Sequence, residues 1–302
     1  MPRLKVLYAG SPEASAHTLE RLVEYSGRAD SGFEVCAVLS NPPTAKGRHK
    51  TPTPTPVAFT AARLGLPCLT PERLNADARE QVSAFSPDIL VCFAYGHIFG
   101  PKFLALFNFG GLNLHPSALP KYRGCSPVNA AILNRDTETA FTVQTLSLAM
   151  DEGAIVRQKK IALTGTETAG TLLNAAAEEG AALLCDALSE IARTQQAFAG
   201  TPQTGEASYT SVITKEDAKI DWTKSAKEID AMVRAYSPEP CAWTEENGSA
   251  LKILAGKAFD SSGILTGEDA TTACGTVLRF EKSAGLLVQC GDGIYVVTEL
   301  QR

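Results

Sequence analysis

Three apolar runs early in the chain do not alternate: LKVLYAG (4–10), FEVCAVLS (33–40) and PDILVCFAYG (87–96). A strand with one face in water alternates apolar and polar residues, whereas a strand covered on both faces does not. These runs therefore predict buried strands of a mostly parallel sheet. Parallel neighbours need crossover helices between them, and the intervening sequence supplies these. SPEASAHTLERLVEY follows the first run at once, with Ser11 placed to cap, Pro12 suited to the first helical position and Glu13 in the first turn. VAFTAARLG and PERLNADAREQVSAF predict two more helices before the third run. The fold class is α/β, with a mostly parallel sheet covered on both faces.

Further along, the pattern changes. GGLNLHPS ends another strand, and TAFTVQTLSLAM (139–150) and AIVRQKKIAL (154–163) are adjacent β-rich runs joined by the turn DEG. They predict a strand pair appended to the parallel sheet. Residues 168–195 predict a helix, bent or interrupted near Gly180. The stretch QQAFAGTPQTGEAS (195–208) is polar and without period, which predicts a linker. Beyond it, SAKEIDAMVRAYSP (225–238) predicts one helix, and GTVLRFEKSAGLLVQCGDGIYVVTEL (275–300) carries hairpin signals at Ser-Ala-Gly and Gly-Asp-Gly. That composition predicts a small barrel or sandwich. The expected organisation is 1–194, a linker at 195–208, and 209–302, which suits a chain of 302 residues.

Bulk properties exclude several classes. A hydrophobic content of 44% with 20% charged residues is that of a globular protein with a proper core. The formal net charge of −5 argues against coating of nucleic acid by the whole surface, though not against a local basic patch. Eight cysteines include no C-x-x-C pair, and several sit in apolar runs, which predicts reduced thiols. The first apolar run is too short for a signal peptide and no stretch predicts a membrane span, so the expected location is the cytoplasm.

The first strand–helix turn, AGSPEAS, has one glycine, so the dinucleotide fingerprint G-x-G-x-x-G is missing and no nicotinamide cofactor is expected. The segment NPPTAKGRHKTPTPTPV (41–57) holds Lys46, Arg48, His49 and Lys50 and no acid. It reads as an exposed loop, either simply solvated or a phosphate-contacting arm. In GLNLHPSALPKYRG (111–124), Asn113 and His115 are two apart on a strand and so share a face, while Leu112 and Leu114 face the other way. Pro116 ends the strand at His115. Strand carboxyl ends are where open α/β sheets bind ligands. An amide and an imidazole side by side can aim two donors at one developing oxyanion. The alternative is a hydrogen-bonded core histidine with an Asn closing a turn. The four histidines, at 17, 49, 97 and 115, have no metal-ligand spacing, and no G-x-S-x-G elbow is present. Asp151, in LAMDEGAIV, lies at a turn between two β runs.

Taken in order, N-x-H, then Ser117-Ala118-Leu119-Pro120 and a following glycine, then Asp151 thirty-six positions after His115, the region resembles the folate-dependent formyltransferases. Ala118 stands where that family has Leu. Ser147, Ala149 and Glu152 depart from its M-D-x-G-x-D-T-G pattern, and His97 stands where a Gln is common. KVLYAGSPEAS, AKGRHK with TPTPV, AYGHIFGPKFL and YTSVITKEDAKIDWTKSAKEIDAMVRAYSPEPCAWT extend the resemblance over nearly the whole chain. They point to the two-domain branch whose acceptor is methionyl-tRNA.

The resemblance implies a Rossmann-like catalytic domain followed by an OB-like β-barrel that binds tRNA. It implies transfer of a formyl group from 10-formyltetrahydrofolate, as co-substrate, to the α-amine of methionyl-initiator tRNA by a monomer, with no metal and no covalent enzyme intermediate. Asn113 and His115 would donate to the oxyanion. Asp151 would raise the His115 pKa and steer a water that moves the proton. Ser117, Ala118, Leu119 and Pro120 would line the folate site, and Lys46, Arg48 and Lys50 would contact tRNA. Three rivals are a formyltransferase acting on an amino sugar or nucleotide, a hydrolase releasing formate, and a tRNA-binding module without catalysis.

Overall fold

The structure, a computed structural model, describes residues 2–46, 51–259 and 272–302. In chain order the first part contains β1 (Leu4–Gly10), α1 (Glu13–Ser26), β2 (Phe33–Leu39), β3 (Thr44–Lys46), β4 (Thr51–Thr53), α2 (Pro56–Arg63), β5 (Cys68–Leu69) and α3 (Ala76–Ser83). There follow β6 (Ile89–Phe93), α4 (Pro101–Leu104), β7 (Gly111–His115), β8 (Arg123–Gly124), α5 (Pro127–Leu133), β9 (Glu138–Thr145), β10 (Ile155–Ala162), α6 (Ala169–Thr194) and β11 (Tyr209–Thr210). The remainder holds α7 (Ala226–Ala235), β12 (Ala242–Glu246), β13 (Ser249–Phe259), β14 (Val277–Glu281), β15 (Gly285–Gln289) and β16 (Ile294–Gln301).

The main sheet has seven strands in the order β10-β9-β7-β6-β1-β2-β5. β1 pairs in parallel with β2 and β6, and β6 with β7, as the unalternated runs require. β9 then pairs antiparallel to β7, with Asn113 opposite Gln144 and His115 opposite Thr142. One face of β1, β2 and β6 packs Leu7, Ala9, Ala37, Leu39, Leu90 and Cys92 beneath Tyr95, Phe99, Phe103 and Phe107. Those four rings, spaced by four residues, form a ladder with centroids 5.4, 5.4 and 5.8 Å apart.

Several boundaries move. α1 starts at Glu13, and its cap position is Pro12, with no side-chain cap bond. Ser11 instead accepts a hydrogen bond from the Asn41 N–H. α3 occupies only eight residues of the run 71–85, because Asn75 caps it by accepting from the Ala78 N–H. The expected strand 139–150 ends at Thr145, so the turn holding Asp151 is a loop over residues 146–154. Its base is closed by Thr145 and Ala154, each backbone N–H donating to the other residue, to Oγ1 in the case of Ala154.

α6 is continuous for 26 residues and is not interrupted at Gly180. The glycine serves packing: a Cβ there would lie 2.5 Å from both methyl carbons of Leu114. Leu114 therefore faces α6, which leaves Asn113 and His115 on the opposite face of β7. The described residues next to the basic segment, 43–45 and 51–54, are exposed, but they are not plain loop. β3 and β4 pair antiparallel, Thr44 with Thr53 and Lys46 with Thr51. Arg48, His49 and Lys50 lie outside the described residues.

By compactness the chain forms two units. One holds residues up to Pro127 with Thr139–Ile161 and Leu173–Thr210, and the other holds Val128–Glu138, Ala162–Leu172 and Ser211–Arg302. The second unit is built on a five-stranded antiparallel sheet of order β12-β13-β16-β15-β14. α7 begins in a capping box, Ser225 and Glu228 each satisfying the other's backbone N–H. Its Ala226, Ile229 and Val233 pack on Ala242, Ile253, Val288 and Tyr295. The hairpins at Ser283 and Asp292 fall where the turn residues place them. Five antiparallel strands are the strand count of an OB-type barrel. All eight cysteines are free, but Cys125 and Cys274 are exposed rather than packed in apolar runs. Among the described residues no helix is long and apolar enough to cross a membrane.

Candidate active site

Asn113 and His115 stand at the carboxyl end of β7, and the loop after β9 brings Asp151 to them. Asn113 Nδ2 donates to Asp151 Oδ1 over 3.2 Å. His115 Nδ1 lies 3.5 Å from the same oxygen. Two further donors fix the carboxylate: Gln144 Nε2 to Oδ1 at 2.8 Å and the Gly124 N–H to Oδ2 at 2.8 Å. Asp151 adopts φ +55°, a left-handed conformation that costs a non-glycine residue about 1 kcal/mol or more. Gly153 explains how the loop closes: a Cβ there would sit 1.6 Å from the Thr145 carbonyl oxygen.

The second ring nitrogen of His115 is committed. Nε2 lies 2.8 Å from the Tyr122 carbonyl oxygen, which can only accept, so Nε2 carries a proton. In the neutral ring Nδ1 is then the bare nitrogen, facing Asp151. Burial of His115, which is 4% exposed, pushes its pKa below the ordinary value of 6.5. Asp151 and the Tyr122 carbonyl push upward, but less strongly. Asp151 thus pulls the His115 pKa upward as expected, but desolvation outweighs that pull and the net direction is downward.

The stretch Ser117–Pro120 forms a tight turn. Ser117 is fully buried and its hydroxyl donates to the Lys121 carbonyl at 2.6 Å, while the Thr142 hydroxyl donates to the Ser117 carbonyl at 2.6 Å. Leu119 is buried, and Ala118 and Pro120 are partly exposed. The turn sets the height of Tyr122, and so of the carbonyl that holds His115. Of the three basic residues, only the Lys46 backbone is described, in β3.

Sequence reasoning missed the residues that brace this group. Gln144 is 1% exposed in an apolar strand, and a buried amide on the face of Asn113 was a signal available in the sequence. Arg123 and Gln203 gave none, since their partners come from distant segments. Arg123 donates to Gln203, Glu152 and the Tyr209 hydroxyl.

An amide donor, an imidazole with one free nitrogen and a partly buried carboxylate, at the carboxyl end of a parallel sheet, are equipment for acyl transfer to an amine. Comparison with known sequences agrees. The sequence model of the formyl transferase family matches residues 3–188, and that of its C-terminal domain matches residues 212–302. The chain belongs to the formyl transferase family. Among curated relatives, a methionyl-tRNA formyltransferase of Treponema denticola is 37% identical, the match covering 99% of this chain and 92% of that protein. One from Roseiflexus castenholzii is 38% identical, covering 99% and 91%. The fold is shared with the methionyl-tRNA formyltransferase of Clostridium thermocellum, with TM-score 0.60 and 15% identity over 87% of this chain and 96% of that one. It is also shared with an N-formyltransferase of Helicobacter canadensis in complex with folinic acid and dTDP-3-aminofucose, with TM-score 0.65 and 18% identity over 99% and 100%.

Proposed function

We propose that this chain transfers a formyl group from 10-formyltetrahydrofolate to the α-amino group of methionyl-initiator tRNA, in the cytoplasm and as a monomer. The observation that carries the reading is the convergence of Asn113 and His115 on one oxygen of Asp151 at 3.2 and 3.5 Å. The two relatives above, 37% and 38% identical over 99% of the chain, support methionyl-tRNA as acceptor. In this reading residues 1–194 are the catalytic domain, 195–208 the connection and 209–302 the tRNA-binding domain.

The folate fits the carboxyl end of the sheet on chemistry present there. Asn41 Nδ2 donates to the Tyr95 carbonyl at 3.0 Å, while its buried Oδ1 is without a hydrogen-bond partner among the described residues. A folate ring system carries N–H groups that such an acceptor takes. Asn113 has two N–H bonds on Nδ2 and spends one on Asp151, which leaves the other for the formyl oxygen as it gains charge. His115 rests neutral, so Nδ1 accepts the proton that the attacking amine releases. Once protonated, Nδ1 is a donor between Asp151 and the new oxyanion, and Asp151 stabilises the imidazolium at that moment. As the intermediate collapses, the bond from the formyl carbon to the folate nitrogen breaks and that nitrogen takes up the proton held at Nδ1. No metal is assigned a role. Removing one such donor costs about 10²–10³ in rate.

Labelled formyl donor incubated with charged initiator tRNA, charged elongator tRNA, an amino-sugar nucleotide, or water alone tests the proposal. Transfer to the initiator species is expected, and Asn113→Ala, His115→Ala and Asp151→Ala each lower it by about 10²-fold or more. Formylation of the sugar nucleotide, or formate release without acceptor, would replace the proposed acceptor. Near wild-type rates in all three variants would remove the site assignment.

A further inference from the structure

Asp151 is held by more than its carboxylate contacts. Gln203, from the connecting segment, reaches back into the loop: Nε2 donates to the Asp151 carbonyl at 2.8 Å and the Gly153 carbonyl at 2.8 Å, with a longer contact of 3.2 Å to Gln144 Oε1. Its Oε1 accepts from Arg123 Nη2 at 2.8 Å and Nε at 3.1 Å. One side chain therefore ties together the strained aspartate, the glycine that closes its loop, the glutamine that orients its carboxylate, and β8, whose Gly124 N–H holds the other carboxylate oxygen. Arg123 extends the brace outward by donating to Glu152 Oε1, adjacent to Asp151, and to the Tyr209 hydroxyl, which itself donates to Glu152.

We propose that Gln203 is a positioning residue: it fixes the left-handed Asp151 backbone so that the carboxylate faces Nδ1 of His115. This rests on the role given to Asp151 in formyl transfer. Without Gln203, the two carbonyls would lose their shared donor, and the main chain at φ +55° would be free to relax to an ordinary conformation. A relaxation of that kind turns the side chain away from β7. A further consequence concerns the segment 195–208: it does more than join two parts of the chain, because its order at Gln203 is a condition for the active arrangement.

Two substitutions in the full chain test this. Gln203→Met keeps the volume and removes every hydrogen bond. Gln203→Glu keeps the acceptor for Arg123 and loses the donor, placing a carboxylate against two carbonyl oxygens. Both are expected to lower kcat by about 10²-fold, as a misplacement of roughly 1 Å does, with KM for the formyl donor within about 2-fold of wild type. The independent readout is the titration of the His115 ring by NMR, resolvable among four histidines. The upward pull of Asp151 weakens in Gln203→Met, so the ring takes up its second proton at lower pH than in the wild type. An unmoved His115 titration overturns the proposal whatever the rate does, since a merely structural loss would lower activity and leave the ring alone. A shifted titration with unchanged kcat overturns the link to transfer. Should the wild type transfer nothing to methionyl-tRNA while the ring still shifts in Gln203→Met, the positioning stands and the acceptor assignment falls.

Discussion

His115 has two acceptors facing its ring and almost no water around it, and these act against each other. Burial favours the neutral form, and the net direction is a pKa below 6.5. In the unfolded chain the same ring titrates near the ordinary value. Between the two pKa values the unfolded state binds the extra proton and the folded state does not, so folding stability rises with pH across that window. Acidification below about 6.5 therefore costs stability, and the loss continues until the folded-state pKa is passed. Urea midpoints from pH 8 to 5.5 are expected to fall more steeply for the wild type than for His115→Gln, and parallel slopes would contradict the burial argument. At Gly153 the limit is steric. The atom a methyl would meet is the Thr145 backbone oxygen, at 1.6 Å, which cannot rotate away. Gly153→Ala is expected to open the Asp151 loop and cost about 10²-fold in kcat, with the thermal midpoint showing that the rest of the fold survives. At this scale the sequence made Asn113 and His115 readable as one face of a strand. It could not reveal the Tyr122 carbonyl that fixes the tautomer, because backbone partners leave no mark on residue identity.

At the scale of elements, strands buried on both faces were the legible part, because burial alone dictates their composition. β1, β2 and β6 lie within the three unalternated runs. What escaped was set by contacts between elements. Gly180 looked like a helix breaker, yet α6 runs through it, because the missing side chain lets the helix approach Leu114 of β7. Residues 146–150 are predicted as the end of a strand, since Leu146 and Leu148 continue its apolar pattern, but they belong to the loop that carries Asp151. Leu148 is 60% exposed there. Helix propensity and packing make opposite predictions for Gly180→Ala. Propensity favours alanine by about 1 kcal/mol. Overpacking a buried site costs about 1–3 kcal/mol, and both methyl carbons of Leu114 would lie 2.5 Å from the new Cβ. The expected net effect is destabilisation of up to about 2 kcal/mol, larger for Gly180→Val, read from urea unfolding. A gain in stability for Gly180→Ala would show that the close approach is not limiting.

For the molecule as a whole, the charge balance bears most directly on the acceptor. A chain of net charge −5 meeting tRNA carries repulsion over most of its surface, so attraction must be local. The segment around β3 and β4 has Lys46, Arg48 and Lys50 without an acid between Asn41 and Val57. Each phosphate neutralised by such a cation releases condensed counterions, which makes log affinity fall with log salt by nearly one unit per contact. The double substitution Arg48→Ala with Lys50→Ala is therefore expected to weaken tRNA binding and to flatten the salt slope by about 2. Lys159→Ala is the control, since that exposed lysine is already paired with Glu179. It removes the same kind of charge from the surface and so reports any effect of net charge alone, for which a change well below 1 in slope is expected. If the double variant and the control shifted the slope alike, the basic segment would be a solvated loop and the attraction would lie elsewhere. If only the double variant flattened it, the segment would be the place where an acidic protein admits a polyanion, and the slope lost would count the phosphates it holds.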